Sequence, residues 1–276
     1  MAIDKAVDST VLDAGLTSIA NAIRTKGGTS AQLSFPSGMV QAIADIPGIT
    51  FLTTDNDGNP LTVRITGPVV DYACYGYDKM TYVDIPSDAA SIGQYAFYNC
   101  SSLALTSLPS GITSIPTGAF DGCTALALTS LPSGLTSMGS FAFRNCTALA
   151  VTSLPSGLTS ISSAFYGCTS LAVTSLPSGI TSIPNTAFRG CTGLTEMTFN
   201  GDITSIGANA FNGCANILKY HFPNNTDIPS VGANAFNGIN ANCKIVVPDS
   251  LYSDWITRSV WNPYVSYIVA ESDYTE

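Results

Sequence analysis

The apolar positions of this chain recur on a fixed step. Ala-Phe falls at Ala96-Phe97, Ala119-Phe120, Ala142-Phe143, Ala164-Phe165, Ala187-Phe188, Ala210-Phe211 and Ala235-Phe236, so the steps are 23, 23, 22, 23, 23 and 25 residues. Cys follows Phe by three residues in most units. Leu lies three beyond Cys (Leu103, Leu126, Leu149, Leu171, Leu194), Leu or Phe lies eight beyond, and Pro, Gly and an I/L-T-S-I/M stretch come next. Apolar runs this short, bounded by Pro-Ser-Gly turns, predict short strands rather than helices. Self-similarity at a period near 23 predicts a solenoid whose rungs fold only by stacking.

The flanks break the pattern. In residues 1–47, Val11, Leu12, Leu16, Ile19, Ala20 and Ile23 lie on one helical face, and Gly27-Gly28 stops that helix. Pro36 opens a second, shorter helix carrying Met39, Val40, Ile43 and Ile46. Two such helices cannot bury a core of their own. They must dock on the solenoid, join copies into a homo-oligomer, or attach to a larger body. Residues 48–70 read as a β-hairpin, ITFLTT and LTVRIT around Asp55-Asn56-Asp57-Gly58-Asn59-Pro60. The acids of that turn also suggest a calcium loop, but no Glu stands at the twelfth position to chelate the ion, so a plain turn is preferred. Setting Ala73 over Ala96 reveals a degenerate first rung, with Cys74 in the Phe slot and Tyr77 in the Cys slot. At the other end Ile239 takes the Cys slot. The repeats thus run over 71–248, and 249–276 form a cap: a short helix from Asp249 or Ser250, a strand at 264–270, and Leu251, Trp255, Ile256, Val260 and Trp261 as a lid.

One irregularity bears on strand facing. The outer repeats carry an apolar residue six beyond the Cys slot (Val83, Met197, Tyr220). The four central ones carry the aliphatic at five and Thr at six: Leu105/Thr106, Leu128/Thr129, Val151/Thr152, Val173/Thr174. Because strand faces alternate, this predicts Thr turned inward and central strands that are short or bulged.

Composition removes several functions. The net charge is −9 and charged residues make up 11% of the chain, with only Asp121, Arg144, Arg189 and Glu196 between Cys100 and Phe199. An acidic chain without a basic cluster argues against nucleic acid and anionic membranes. No apolar run reaches the ~18 residues of a membrane helix. MAIDKAVDST lacks the basic-then-apolar pattern of a secretory signal, which favours a chain not exported by that route.

Candidate chemistry is sparse. One histidine, His221, supports no Ser-His-Asp or Cys-His set, and its strand-like setting beside Pro223 predicts a surface or edge role. No Gly-rich phosphate loop joins a strand to a helix. The acids are dispersed, so a glycosidase pair would need a proximity the sequence does not display. No C-x-x-C pair occurs, and no metal or cofactor is expected. Cys100, Cys123, Cys146, Cys168, Cys191 and Cys214 come once per rung and predict a buried, reduced column. Adjacent rungs set them ~4.8 Å apart, but parallel side-chain directions suit a disulfide poorly.

The residue after each repeated Phe is free to vary: Tyr98, Asp121, Arg144, Tyr166, Arg189, Asn212, Asn237. The residue before Ala varies too, with Tyr95 and Phe141 among small or polar neighbours. Stacking predicts a column in which Asp121 pairs with Arg144 and Tyr166 lies between two arginines. Aromatics and Arg dominate binding hot spots, so Tyr95, Tyr98, Asp121, Phe141, Arg144, Tyr166 and Arg189 are the candidate ligand-binding residues. The alternative is a column that only solubilises a charge-poor solenoid. The missing residue in ISSAF (Ile161 to Phe165) predicts a notch in this edge. The steps Thr113-Ser114, Thr136-Ser137, Thr159-Ser160 and Thr181-Ser182 form hydroxyl rows that ice binding would also use, although Thr suits strands and Ser suits turns in any case.

The repeat pattern closely resembles the BspA-like class of leucine-rich repeats, found in bacterial surface proteins. That resemblance implies a leucine-rich-repeat solenoid and a non-enzymatic recognition or adhesion role toward a host-surface protein or glycan. Residues 17–46, with Ala22-Ile23-Arg24, Lys26-Gly27-Gly28-Thr29 and Phe35-Pro36, resemble an N-terminal module of bacteriophage structural and tail-associated proteins. That second resemblance implies a virion, with residues 1–47 joining the chain to its particle. A bacterial surface or secreted adhesin is the competing setting, and a structural spacer is a third reading.

Overall fold

The computed structural model describes residues 48–54 and 60–275. The helices expected within residues 1–47, with their phage-like motif, and the turn at 55–59 lie outside them. A hairpin forms in which β1 (Ile49–Thr54) pairs antiparallel with β2 (Pro60–Ile65), the second strand set one residue earlier than LTVRIT. Its inner strand then runs parallel to β3 (Tyr82–Asp84), so Val63 pairs with Val83 and the hairpin closes the first rung.

Each later rung has three edges. On the first, β6 (Ser175–Leu176), β8 (Glu196–Phe199), β10 (Lys219–His221), β12 (Lys244–Val247) and β13 (Ile268–Ala270) form one parallel sheet in that order. On the second, the Thr-Ser-Ile steps give β4 (Ser114–Ile115) with β5 (Ser137–Met138), and β7 (Ser182–Ile183), β9 (Ser205–Ile206) and β11 (Ser230–Val231). The third edge is the Ala-Phe-x-x-Cys turn.

The turns stack through backbone hydrogen bonds that all run one way. The amides of Cys74, Phe97, Phe120, Phe143, Phe165, Phe188 and Phe211 each donate to the Ala slot one rung on, at 2.6 to 3.2 Å. A second line leaves Gly76, Asn99, Gly122, Asn145, Gly167, Gly190 and Gly213 for the carbonyl after the next Phe, at 2.7 to 2.9 Å. Those donors sit before each Cys slot at φ between 55° and 80°. Gly and Asn tolerate that left-handed region best, which is why they recur there.

The core repeats with the rungs. Phe97, Phe120, Phe143, Phe165, Phe188, Phe211 and Phe236 stack at 5.2 to 5.9 Å between centroids, the widest step being Phe143–Phe165. The Ala, Cys and Leu columns beside them are buried.

The central strands depart from the expectation that Thr faces inward. Leu105, Leu128, Val151 and Val173 are buried, while Thr106, Thr129, Thr152 and Thr174 are exposed. In the rung of Leu194, two consecutive outward residues sit four and five beyond Cys. In the rung of Leu103 they sit six and seven beyond. The aliphatic keeps its place inside by moving this irregularity along the strand, and no strand forms on this edge between Asp84 and Ser175.

The cap is α1 (Asp249–Trp255), a 3-10 stretch Ser259–Tyr267 and β13. The strand expected at 264–270 is shorter, because the 3-10 stretch runs on to Tyr267 around Pro263, which lacks the amide a ladder needs.

Candidate functional site

The candidate residues fall into two adjacent columns along the turn edge. The column after Phe holds Tyr98, Asp121, Arg144, Tyr166 and Arg189. Its carbonyls accept the rung-to-rung bonds, so the backbone is committed and the side chains can vary. The column before Ala holds Tyr95, Gly118 and Phe141. Tyr95, Gly118, Phe141, Thr186, Asn209 and Asn234 all have φ between 51° and 61° there. An aromatic residue at positive φ costs about 1–2 kcal/mol relative to its ordinary regions. Gly118 has room for no side chain because the Tyr95 ring lies where its Cβ would stand.

Asp121 and Arg144 meet as expected. Arg144 Nε donates to Asp121 Oδ1 at 2.9 Å and Nη2 lies 2.6 Å from Oδ2, a two-point pair. Asp121 is only 3% exposed. Burial raises its carboxyl above the usual range, and the Arg144 fork works against that rise. The same hydrogen bond raises the Arg144 guanidinium further.

Tyr166 lies between Arg144 and Arg189 in the column, but only Arg189 rests on its ring among the described residues. Arg189 sits over its ring at 5.5 Å, whereas Arg144 covers Phe141 at 4.6 Å. Asp121 draws the Arg144 fork toward the preceding rung, and Phe141 of its own rung takes the guanidinium face.

The first rung extends both columns. Tyr72 stacks on Tyr95 at 5.4 Å and Tyr75 on Tyr98 at 4.6 Å; half-buried Tyr75 joins the candidate set, whereas buried Tyr72 backs Tyr95. Aligning Ala73-Cys74 with Ala-Phe carries that signal, since it places one tyrosine in each column.

The 22-residue rung alters this edge through its hydrogen bonds. On the second edge Ser137 bridges Ser160, but no bridge joins Ser160 to Ser182 among the described residues. Ser160 and Ser182 are exposed, while Ser114, Ser137 and Ser205 are half-buried. On the turn edge, Tyr95, Gly118, Thr186 and Asn209 donate to the next rung, whereas the Phe141 and Ser163 amides do not. Ser163 Oγ donates to Asn185 O at 2.7 Å instead.

The cysteines form a column. Cys123, Cys146, Cys168, Cys191 and Cys214 each point Sγ–H at the carbonyl of the preceding rung's Phe, at 2.8 to 3.0 Å. Cys100 does the same to Cys74 O at 2.9 Å. All eight cysteines are buried and unbridged. Burial pushes the thiols up, those of Cys74, Cys214 and Cys243 to about 12.

Other candidates gather little chemistry. His221 Nε2 lies 3.0 Å from Glu271 Oε1. Among the described residues no three His, Cys, Asp or Glu side chains are placed to hold a metal, and no helix is long and apolar enough to cross a membrane. The hydroxyls of Thr136, Thr159 and Thr204 donate to the carbonyl of the equivalent Thr one rung earlier, at 3.1 to 3.3 Å, which ties that row to the ladder.

Comparison with known proteins bears on the whole array. A family model described as the BspA type leucine-rich repeat region matches residues 69–171 and 162–254. A leucine-rich repeat protein from Bacteroides ovatus ATCC 8483 is 30% identical with a TM-score of 0.60, over 74% of this chain and 59% of its own. This chain therefore spans about three fifths of that protein. A T. pallidum leucine-rich repeat protein is 29% identical with a TM-score of 0.53, over 73% of this chain and 89% of its own. No curated protein matches the chain.

Proposed function

The chain belongs to the BspA-type leucine-rich repeat family, and from that premise we propose that it is a non-enzymatic recognition protein of a bacterial surface. Its contact edge is the double column from Tyr75 to Arg189, and its target is a protein or glycan on another cell. The observation that carries this reading is the set of aromatic residues at left-handed positions. Tyr95 and Phe141, both half-buried, stand where the backbone favours Gly or Asn, beside the varied column of Tyr98, Tyr166 and Arg189, while Tyr72 at a similar φ is buried behind Tyr95. Strain kept at a varied surface position points to use rather than to folding. Nothing in the comparisons supports a phage particle, so the bacterial surface is the proposed setting. Residues 1–47 are proposed to attach the solenoid to its assembly.

The test is binding of the labelled protein to bacterial and epithelial cell panels and to a glycan array. Tyr98, Tyr166 and Arg189 are replaced together by Ser. Arg144 is kept, because removing it strands a buried carboxylate. Binding by the parent protein, lost in this variant with an unchanged melt, is the expected result. Undiminished binding by the folded variant removes the ridge as the contact edge. A parent protein that binds none of the cells or glycans favours a structural spacer.

A further inference from the structure

Between Cys100 and Phe199 the chain carries four charged side chains. Three are neutralised: Asp121 by Arg144, and Glu196 by Lys219 at 3.1 Å. Arg189 has no carboxylate partner among the described residues. It is exposed and its guanidinium rests over Tyr166.

Arg144 shows what an arginine in this column takes. It reaches back one rung and grips the side chain 23 residues earlier, the Asp121 carboxylate, at two points. Arg189 makes the same backward reach, to Tyr166, also 23 residues earlier. A ring stands where Arg144 has its carboxylate. The ring holds the planar guanidinium in place and leaves its donors facing solvent, without a protein partner among the described residues. The same-rung neighbour differs as well: Phe141 covers Arg144, whereas Thr186 is too short to cover Arg189.

Resting on the recognition reading, we infer that Arg189, held by Tyr166, is the anchor for a carboxylate of an acidic protein segment. A carboxylate completes the fork as Asp121 does for Arg144. The rings near the anchor favour a protein source over an acidic glycan. Arg189 lies on the Tyr166 ring and Arg144 on the Phe141 ring, so each has a face already taken by a cation rather than open to a pyranose.

The experiment titrates the intact protein with fluorescent poly-L-glutamate, poly-L-glutamine and a polyglucuronate at fixed ionic strength. Polyglutamate binding that weakens with salt is expected, with polyglutamine inert. Arg189→Gln should weaken it about tenfold to a hundredfold, the range of a charge-assisted contact. Tyr166→Asp places a carboxylate in the register of Asp121, so it should satisfy Arg189 internally and weaken binding to the same degree. Both variants should melt as the parent does. Absence of polyglutamate binding, or binding unchanged in Arg189→Gln, overturns the inference. Tighter, Arg189-dependent binding of polyglucuronate assigns the anchor to a glycan and overturns the protein source. If cell binding survives Arg189→Gln but is lost when Tyr98, Tyr166 and Arg189 are replaced together, the anchor fails while the recognition reading stands.

Discussion

Among the described residues, Asp121 is the carboxylate buried in the turn edge. Asp121 titrates above its ordinary range when folded, so the folded chain holds its proton more readily than the unfolded chain. Its ionisation therefore subtracts stability as pH rises through that window. The Arg144 fork offsets part of this loss. Arg144→Gln should cost about 1–3 kcal/mol near neutral pH and less as pH falls toward the unfolded carboxylate's own value. Asp121→Asn added to it should restore most of the loss. Urea melts at pH 7 and pH 4.5 check this, and an equal loss at both counts against it. The thiols give a second prediction. Buried and raised by burial, they should resist iodoacetamide in the native protein and all eight should react in denaturant, read by intact mass. At this scale much was legible. Ala, Phe and Cys announce buried columns because nothing else recurs so strictly. The left-handed positions were hidden at Tyr95 and Phe141, since those side chains carry no sign of positive φ. Gly and Asn before each Cys did carry one.

Among elements, the 22-residue rung controls continuity. Its neighbours keep their Phe-line bonds, yet the amides of Phe141, Ser163 and Thr181 find no acceptor one rung away. They should exchange with solvent faster than Tyr95, Thr186 and Thr204, whose equivalent bonds are made. Inserting Pro between Ile161 and Ser162 recreates the Ile-Pro-x-x-Ala-Phe of Ile115–Phe120 and Ile183–Phe188. The three amides should then slow about fivefold, at roughly 1 kcal/mol for each restored bond. Unchanged exchange in the insertion variant, by hydrogen–deuterium exchange with mass spectrometry, would sink this account. The sequence exposed the missing residue but not its consequence. A shortfall of one residue can be absorbed on any of three edges, and the side chains do not say which. The central strands posed the same difficulty. Moving the aliphatic from six to five beyond Cys leaves its facing open until the neighbouring rungs fix the inward direction.

The described residues form a one-dimensional stack, so the ends of that stack decide whether it folds as one unit. At the start, the hairpin supplies β2 to pair with β3. At the other end the lid was legible as a cluster of large apolar residues, although Val260 proves exposed. Trp255 packs 5.3 Å from Phe222, and Trp261 lies 5.8 Å from Phe236 and 6.2 Å from Phe222. Their indole N–H groups differ. Trp261 Nε1 donates to Pro229 O at 2.9 Å, whereas Trp255 Nε1 is buried without a partner. Trp261→Phe should therefore cost more than Trp255→Phe. The first loses a bond and leaves a buried carbonyl, about 1–3 kcal/mol, while the second also removes an unmet donor. Ending the chain at Pro248 removes both rings together with β13, and uncovers Phe222, Phe236 and the edge of β12. Loss at one end of a stack should spread inward and fade with distance. Amides of β12 and β10 should lose protection in that truncated chain while the rungs of Phe97 and Phe120 keep theirs. Uniform loss along the chain would instead mean that the rungs fold as a single cooperative block, with the lid required by all of them.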